Sequence, residues 1–400
     1  MSETVPLPLG FSAAGVSCGV KDPSSPKKDI ALFVSDRPCS AAGVFTTNLV
    51  CGAPVKVSRE RLPRATARAV VINSGNANAC TGEQGLADAL TMAVAVAQQI
   101  GCDPTDVLVA STGVIGRFLP LDRIKLGIDR AVKELGAKPQ ALLDAATAMM
   151  TTDTVPKLAT RVVSLKGKSA RITGVCKGAA MIAPNMATML CVLMTDAELL
   201  PEKCAASLTA AVTDSFNCIS VDGHESTSDS VILLANGASG VGPYEADEWI
   251  AFQAALNEVA QDLSMQIIRD AEGAHHFVQL DVTGCRTREE ADRIATAVAN
   301  SALVKTAICG ADPNWGRIVS AAGYAGVPLA ETDISLVMNG FPLYTAGTPL
   351  EFDAAAVSKS LRENRDVTIE LKLTHGEAAV RFWTSDLTKE YVELNADYTT

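Results

Sequence analysis

Short apolar runs alternate with stretches of helical period along most of the chain, and this alternation limits the fold more than any other feature of the sequence. Asp29–Val34, Ala69–Ile72, Val107–Ala110, Thr160–Leu165 and Met189–Met194 are rich in Val, Ile or Leu and mostly bounded by Gly, Pro, Ser or Asn. Val231–Leu234, Phe277–Val282, Ile334–Val337, Val367–Leu371 and Ala378–Phe382 continue the set. Between them, Leu121–Leu135 carries Ile124, Ile128, Val132 and Leu135 on one stripe, and Glu202–Phe216 carries Ala205, Leu208, Val212 and Phe216. Ala246–Ile267 and Glu289–Ala302 have the same period. The pattern predicts an α/β fold, with a soft boundary near residues 278–285 and a second, smaller unit after it.

The filling of such a core would be unusual in kind. Aromatic residues make up only 4% of the 400, against 48% hydrophobic overall, so Ala, Val, Gly and Leu must bring the elements close together. The net charge of −11 and the lack of a Lys/Arg cluster beyond Lys27-Lys28 argue against a nucleic-acid partner. No apolar run approaches the ~20 residues of a membrane helix. The opening Met-Ser-Glu-Thr-Val-Pro has neither the basic nor the apolar region of a secretory signal. Eleven cysteines without a C-x-x-C pair, beside four histidines, predict neither a zinc site nor a disulfide framework. Most read as small buried apolar residues in a reducing cytoplasm.

One segment does not look structural. Lys177–Leu190 reads Lys-Gly-Ala-Ala-Met-Ile-Ala-Pro-Asn-Met-Ala-Thr-Met-Leu, an irregular loop feeding Thr188 into the apolar run Met189–Met194. If the Ala187–Thr188 bond breaks, Thr188 becomes a terminus with both a hydroxyl and a free amine. An α-amine with a pKa of about 7.7–8.0 can accept the hydroxyl proton, so one residue supplies nucleophile and base. Spacing alone also fits a threonine that merely caps a strand.

The same segment resembles the signature of the ornithine acetyltransferase (glutamate N-acetyltransferase) family of arginine biosynthesis, and the resemblance runs along nearly the whole chain. It includes Ala41-Ala42-Gly43-Val44-Phe45-Thr46-Thr47-Asn48, Asn73-Ser74-Gly75-Asn76-Ala77-Asn78-Ala79 and Ser111-Thr112-Gly113-Val114-Ile115-Gly116. It continues in Ser220-Val221-Asp222-Gly223, Ala271-Glu272-Gly273-Ala274 and Asp312-Pro313-Asn314-Trp315-Gly316-Arg317-Ile318. The resemblance implies a four-layer α/β/β/α sandwich over residues 1–280 and a smaller C-terminal α/β domain over 281–400. It implies self-cleavage between Ala187 and Thr188 into fragments 1–187 and 188–400, which pair into a heterotetramer.

By the same resemblance, Thr188 carries acetyl from N-acetylornithine to glutamate, and Thr112 with Gly113 forms the oxyanion hole. Substrate is held by Thr151, Lys177, Thr188, Glu272, Asn395 and Thr400. No cofactor or metal is implied, and acetyl-CoA remains open as a second donor. Without the resemblance, Thr112-Gly113 fits a strand-to-loop turn, Thr151 a helix end, Lys177 a solvated loop and Glu272 a helix cap. Asn395 and Thr400 would then belong to an ordinary frayed end. A self-processing amidohydrolase or aminopeptidase, and an uncut inactive scaffold, are the alternative readings. The chain departs from the family pattern at His224-Glu225, Ala271 and His275-His276, where aspartate-threonine, glycine and threonine-lysine are more usual. On a strand two neighbouring histidines face opposite ways and make a poor metal pair. His275 and His276 are then either surface residues or reshape the pocket beside Glu272, and in the second case the change bears on acceptor preference.

Overall fold

The computed structural model describes residues 4–183 and 189–397. In chain order the strands begin with β1 (Phe11–Val16), β2 (Ile30–Phe45), β3 (Arg64–Asn76) and β4 (Val107–Val114). Next come β5 (Lys157–Leu165), β6 (Lys168–Lys177), β7 (Leu190–Thr195), β8 (Ile219–Ser220) and β9 (Ser230–Ala235). The last are β10 (Phe277–Cys285), β11 (Ser335–Met338), β12 (Phe341–Thr345), β13 (Thr348–Pro349), β14 (Asp366–Lys372) and β15 (Ala378–Ser385).

Among the described residues these strands build two mixed sheets. The first has the order β4-β3-β2-β9-β7-β6-β5 with β1 added against β2, and the second runs β13-β12-β11-β14-β10-β15-β8. β3 and β4 are parallel, as are β7 and β9, while β6 pairs antiparallel with β5 and β7. β2 is long because it serves three partners, with Ile30–Ser35 also pairing with β1. Ile30–Val34 pairs with β3, and after a register shift Ser40–Phe45 pairs with β9.

Helices flank both sheets: α1 (Ala53–Glu60), α2 (Gly82–Ile100), α3 (Leu121–Lys133), α4 (Pro139–Met149), α5 (Pro201–Thr213) and α6 (Ala246–Arg269). The later ones are α7 (Arg288–Ala299), α8 (Ala302–Cys309), α9 (Trp315–Gly323), α10 (Ala354–Glu363) and α11 (Lys389–Asp397). Small residues set the spacing. Ala89, Ala93 and Ala97 of α2 lie in the same core as Ala69, Val71, Val107 and Val109, and Ala145, Ala146 and Ala148 of α4 join Ala13, Ala31 and Ala41. α6 has the largest stripe, with Phe252, Leu256, Val259, Leu263 and Ile267 fully buried at a helical period. It packs on β5 and β6 of the first sheet and on β15 of the second, so one helix links the cores of both. No helix among the described residues is long and apolar enough to cross a membrane.

The apolar runs of the sequence reappear as strands, extended at their ends. β4 continues through Thr112-Gly113 to Val114, where a turn was expected, because Ser74↔Thr112 and Gly75↔Gly113 keep pairing with β3. Most cysteines sit in the cores. Burial pushes the thiols of Cys39 and Cys204 up to about 12, where no reactive thiolate forms near neutral pH.

Candidate active site

The parallel pair β3–β4 ends in a kink made by two glycines. Gly75 and Gly113 both have positive φ, +98° and +128°. A Cβ on Gly113 would lie 2.3 Å from the Gly75 carbonyl carbon and 2.5 Å from the Asn76 nitrogen, so only glycine allows this approach. Side chains lock the kink. Ser111 Oγ donates to Asn73 Oδ1 at 2.6 Å, Asn73 Nδ2 donates to the Asn76 carbonyl at 2.8 Å, and Ser74 Oγ donates to the Ala148 carbonyl at 2.7 Å. Thr112, between these anchors, is 2% exposed and faces a cavity of about 630 Å³. That cavity is also lined by Gly113, Thr151, Lys177, Glu272 and Asn395.

Lys177 closes β6 and is buried against a charge network. Its Nζ lies 3.9 Å from Asp153 Oδ2, and Asp153 Oδ1 accepts Lys157 Nζ at 2.7 Å and the Gly178 N–H at 2.6 Å. Lys157 reaches on to Asp270 Oδ2 at 2.6 Å, and Asp153 Oδ2 accepts the Thr151 N–H at 3.1 Å. Burial by itself would raise the Asp153 carboxyl. The Lys177 and Lys157 ammoniums and the Gly178 N–H outweigh it and hold the group at about 2. Asp153, Lys157 and Asp270 did not stand out in the sequence, although Asp153 lies two residues after Thr151. A charge triad whose outer members stand 117 positions apart has no local signature.

Across the cavity, Glu272 is held by its own N–H, which donates to the Ala179 carbonyl at 2.9 Å, and its Oε2 accepts Asn395 Nδ2 at 2.9 Å. Asn395 sits on α11, so the end of the described chain folds onto the site. Asp222 ties the same region together. Its carboxylate accepts the N–H groups of Met181 at 2.6 Å and Ile182 at 2.9 Å, together with the Tyr391 hydroxyl at 3.1 Å. His224, at the first departure from the family pattern, also lines the cavity. His275 and His276 lie in the loop before β10 rather than on a strand: His275 is exposed, while His276 turns inward onto Asp386.

Ala187, Thr188 and Thr400 lie outside the described residues. The nearest described residue to Thr188, Met189, donates its N–H to Asp229 Oδ1 at 3.0 Å. Asp229 is fully enclosed, and burial pushes its carboxyl well up, beyond what the Met189 N–H and Lys177 take back. It too escaped the sequence reading, because a lone aspartate ahead of a strand resembles any turn residue.

The arrangement offers a buried hydroxyl and a glycine-dependent backbone on one wall, a cation on a second and an acid–amide pair on a third. Such a cavity suits a small zwitterion. The ArgJ family model matches residues 12–400. An arginine biosynthesis bifunctional protein ArgJ of Rhodopirellula baltica is 46% identical over 98% of this chain and 96% of its own length. Among solved structures, an argJ protein of Bacillus halodurans is 36% identical, covering 51% of this chain and 96% of its own, with a TM-score of 0.49. An ornithine acetyltransferase of Mycobacterium tuberculosis, complexed with ornithine, is 38% identical over 46% of this chain and 96% of its own, with a TM-score of 0.41.

Proposed function

Since the chain belongs to the ArgJ family, we propose that it serves arginine biosynthesis by moving acetyl from N-acetylornithine to glutamate through an acetyl-threonine on Thr188. The observation that carries this reading is the convergence of Thr112, Gly113, Thr151, Lys177, Glu272 and Asn395, scattered along the sequence, on one cavity.

The threonine is first freed. Its Oγ attacks the Ala187 carbonyl, the peptide nitrogen leaves as the amine of Thr188, and water hydrolyses the resulting ester. The amine then takes the Oγ proton as Oγ attacks the acetyl carbonyl of N-acetylornithine. Thr112 Oγ–H and the Gly113 N–H receive the charge that develops on the carbonyl oxygen, the step where such donors act most strongly. Ornithine departs with the proton on its amine. Glutamate then attacks the acetyl-threonine, leaves as N-acetylglutamate and restores Thr188. Lys177 pairs with the α-carboxylate, Glu272 with the amino group, and Thr151, Asn395 and Thr400 complete the amino-acid end. A single pocket serves both substrates because both share that end.

The same proposal includes fragments 1–187 and 188–400 assembled as a heterotetramer in the cytoplasm, with no cofactor and acetyl-CoA as a second candidate donor. It also includes the division at residue 280, with a four-layer α/β/β/α sandwich before it and a smaller α/β domain after it. Intact mass and a transfer assay test the core of the reading together. Two separate fragments, 1–187 and 188–400, and glutamate-dependent release of ornithine are expected. Acetate release at equal rate without glutamate would instead identify a hydrolase, and a single uncut chain with full transfer would remove Thr188 as carrier.

A further inference from the structure

The imidazole of His276 stands between two hydrogen-bond acceptors. Nδ1 is 2.8 Å from Asp386 Oδ2 and Nε2 is 2.9 Å from the Leu361 carbonyl oxygen. A neutral imidazole has one N–H, so either tautomer would turn a lone pair toward one of these oxygens. The ring is only 11% exposed, which leaves little room for water to mend the mismatch. Asp386 Oδ1 already accepts the backbone N–H groups of His275 and His276, at 2.9 and 3.0 Å. Those two donors favour the ionised carboxylate, so the extra proton resides on the ring.

What this pair holds is the loop between α6 and β10. Glu272 opens the loop, and His275 and His276 close it on Asp386, just beyond β15. The same loop is stitched to the approach to α11, where Thr388 Oγ1 donates to the Gly273 carbonyl at 2.6 Å and Tyr391 N–H donates to Thr388 Oγ1 at 3.1 Å. Four residues further along α11, Asn395 reaches Glu272.

We propose that His276 is a positioning residue: as an imidazolium bridging Asp386 and Leu361, it fixes the Glu272 loop against α11 and so sets the affinity for the amino-acid substrate. This rests on the reading of Glu272 and Asn395 as substrate contacts. The electrostatic setting agrees. The Asp386 bond draws the His276 ring above the ordinary histidine range; burial opposes it, the Leu361 carbonyl adds to it, and Arg365 beyond α10 opposes it. Among the described residues, Lys305 and Cys309 of α8 and His275 also face Asp386, the last lying 3.6 Å from Glu390 as well. The charge on His276 is complete below its ordinary pKa of about 6.5 and is lost as pH rises through the raised value. Affinity for substrate therefore falls as the solution becomes alkaline.

The processed enzyme is assayed with N-acetylornithine and glutamate from about pH 6 to pH 9, as wild type, His276→Lys and His276→Gln. Lysine keeps a donor and a charge through this range, with a reference pKa of about 10.4. Wild-type KM is expected to climb severalfold across the range with kcat following a different profile. His276→Lys should stay near the low-pH KM throughout, and His276→Gln near the high-pH KM throughout. Histidine-selective 15N NMR at about pH 6, assigned through His276→Gln, should show both ring nitrogens protonated. A neutral ring there, or a KM slope unchanged in His276→Lys, overturns the inference. Glu272→Ala is run in parallel. If it leaves KM unaltered, the substrate reading of Glu272 fails. If it raises KM while the His276 arms stay flat, only the positioning role fails.

Discussion

Replacing Lys157 by methionine retains most of the buried stem and deletes the ammonium that sits 2.7 Å from Asp153 and 2.6 Å from Asp270. The side chains of Lys157 and Asp153 are wholly enclosed and that of Asp270 is 7% exposed, so water cannot take the place of the lost charge. Breaking a buried pair from one side costs about 3–5 kcal/mol, since the partner is left charged and unpaired. The titration of Asp153 supplies a second route to the size. Its carboxyl is held at about 2, against 3.8 for a free aspartate, with burial raising it and Lys177, Lys157 and the Gly178 N–H lowering it further. At about 1.4 kcal/mol per pH unit that difference contributes roughly 2–3 kcal/mol at neutral pH.

Lys177 persists in the variant, so Asp153 alone loses only part of this; Asp270, which keeps its Thr154 donors but loses the ammonium, supplies the rest. The folded pKa is the lower one, so the stabilisation is present above the free value and disappears as pH falls toward the folded value. Lys157→Met should therefore unfold at a lower urea concentration at neutral pH and begin its acid unfolding at a higher pH than wild type. KM should rise too, because Asp153 Oδ2 positions the Thr151 N–H and faces Lys177. Urea titrations followed by circular dichroism, repeated in steps down to about pH 3, measure both limbs. A loss below about 1 kcal/mol with an unmoved acid limb would refute the claim that Lys157 organises this wall of the cavity.

Thr112→Ala removes one proposed oxyanion donor and should lower kcat roughly 10²–10³-fold with a much smaller change in KM, as read from steady-state kinetics. Thr188→Ala should remain one chain of 41.7 kDa on a denaturing gel and transfer no acetyl; cleavage at the wild-type rate would assign the attack to another residue. Deleting residues 398–400 should raise KM severalfold while self-cleavage persists. So short a polar tail is expected to shift stability by about 1 kcal/mol or less, whereas a substrate contact left unpaired costs about 1–3 kcal/mol.

Local physics made much of the architecture readable. Apolar β-branched runs such as Val107–Ala110 and Val231–Leu234 became strands, and the stripes of Leu121–Leu135 and Ala246–Ile267 became α3 and α6, because burying one face requires a fixed period. The Lys177–Leu190 segment was visible as an oddity of sequence, whereas Thr112 and Glu272 stood out only through the family resemblance, which pointed to the chemistry of all three.

Other elements carried no such period. β6, the strand that ends in Lys177, begins Lys-Ser-Ala-Arg and is strand only because β5 and β7 pair with it along both edges. β8 is two residues from the middle of the chain, drawn into the second sheet by β15. α11 buries no residue of its own, and Tyr391 and Asn395 bring it to the cavity through bonds to Asp222 and Glu272. The charge network shows the same limit. Asp153, Lys157 and Asp270 are unremarkable acidic and basic residues in sequence, and His276 is one histidine among four. Their states depend on burial and on partners up to 116 positions away, as between Thr154 and Asp270, and those are properties of the packed chain. A period along the sequence reports which face is buried, but only the tertiary structure decides what that face meets.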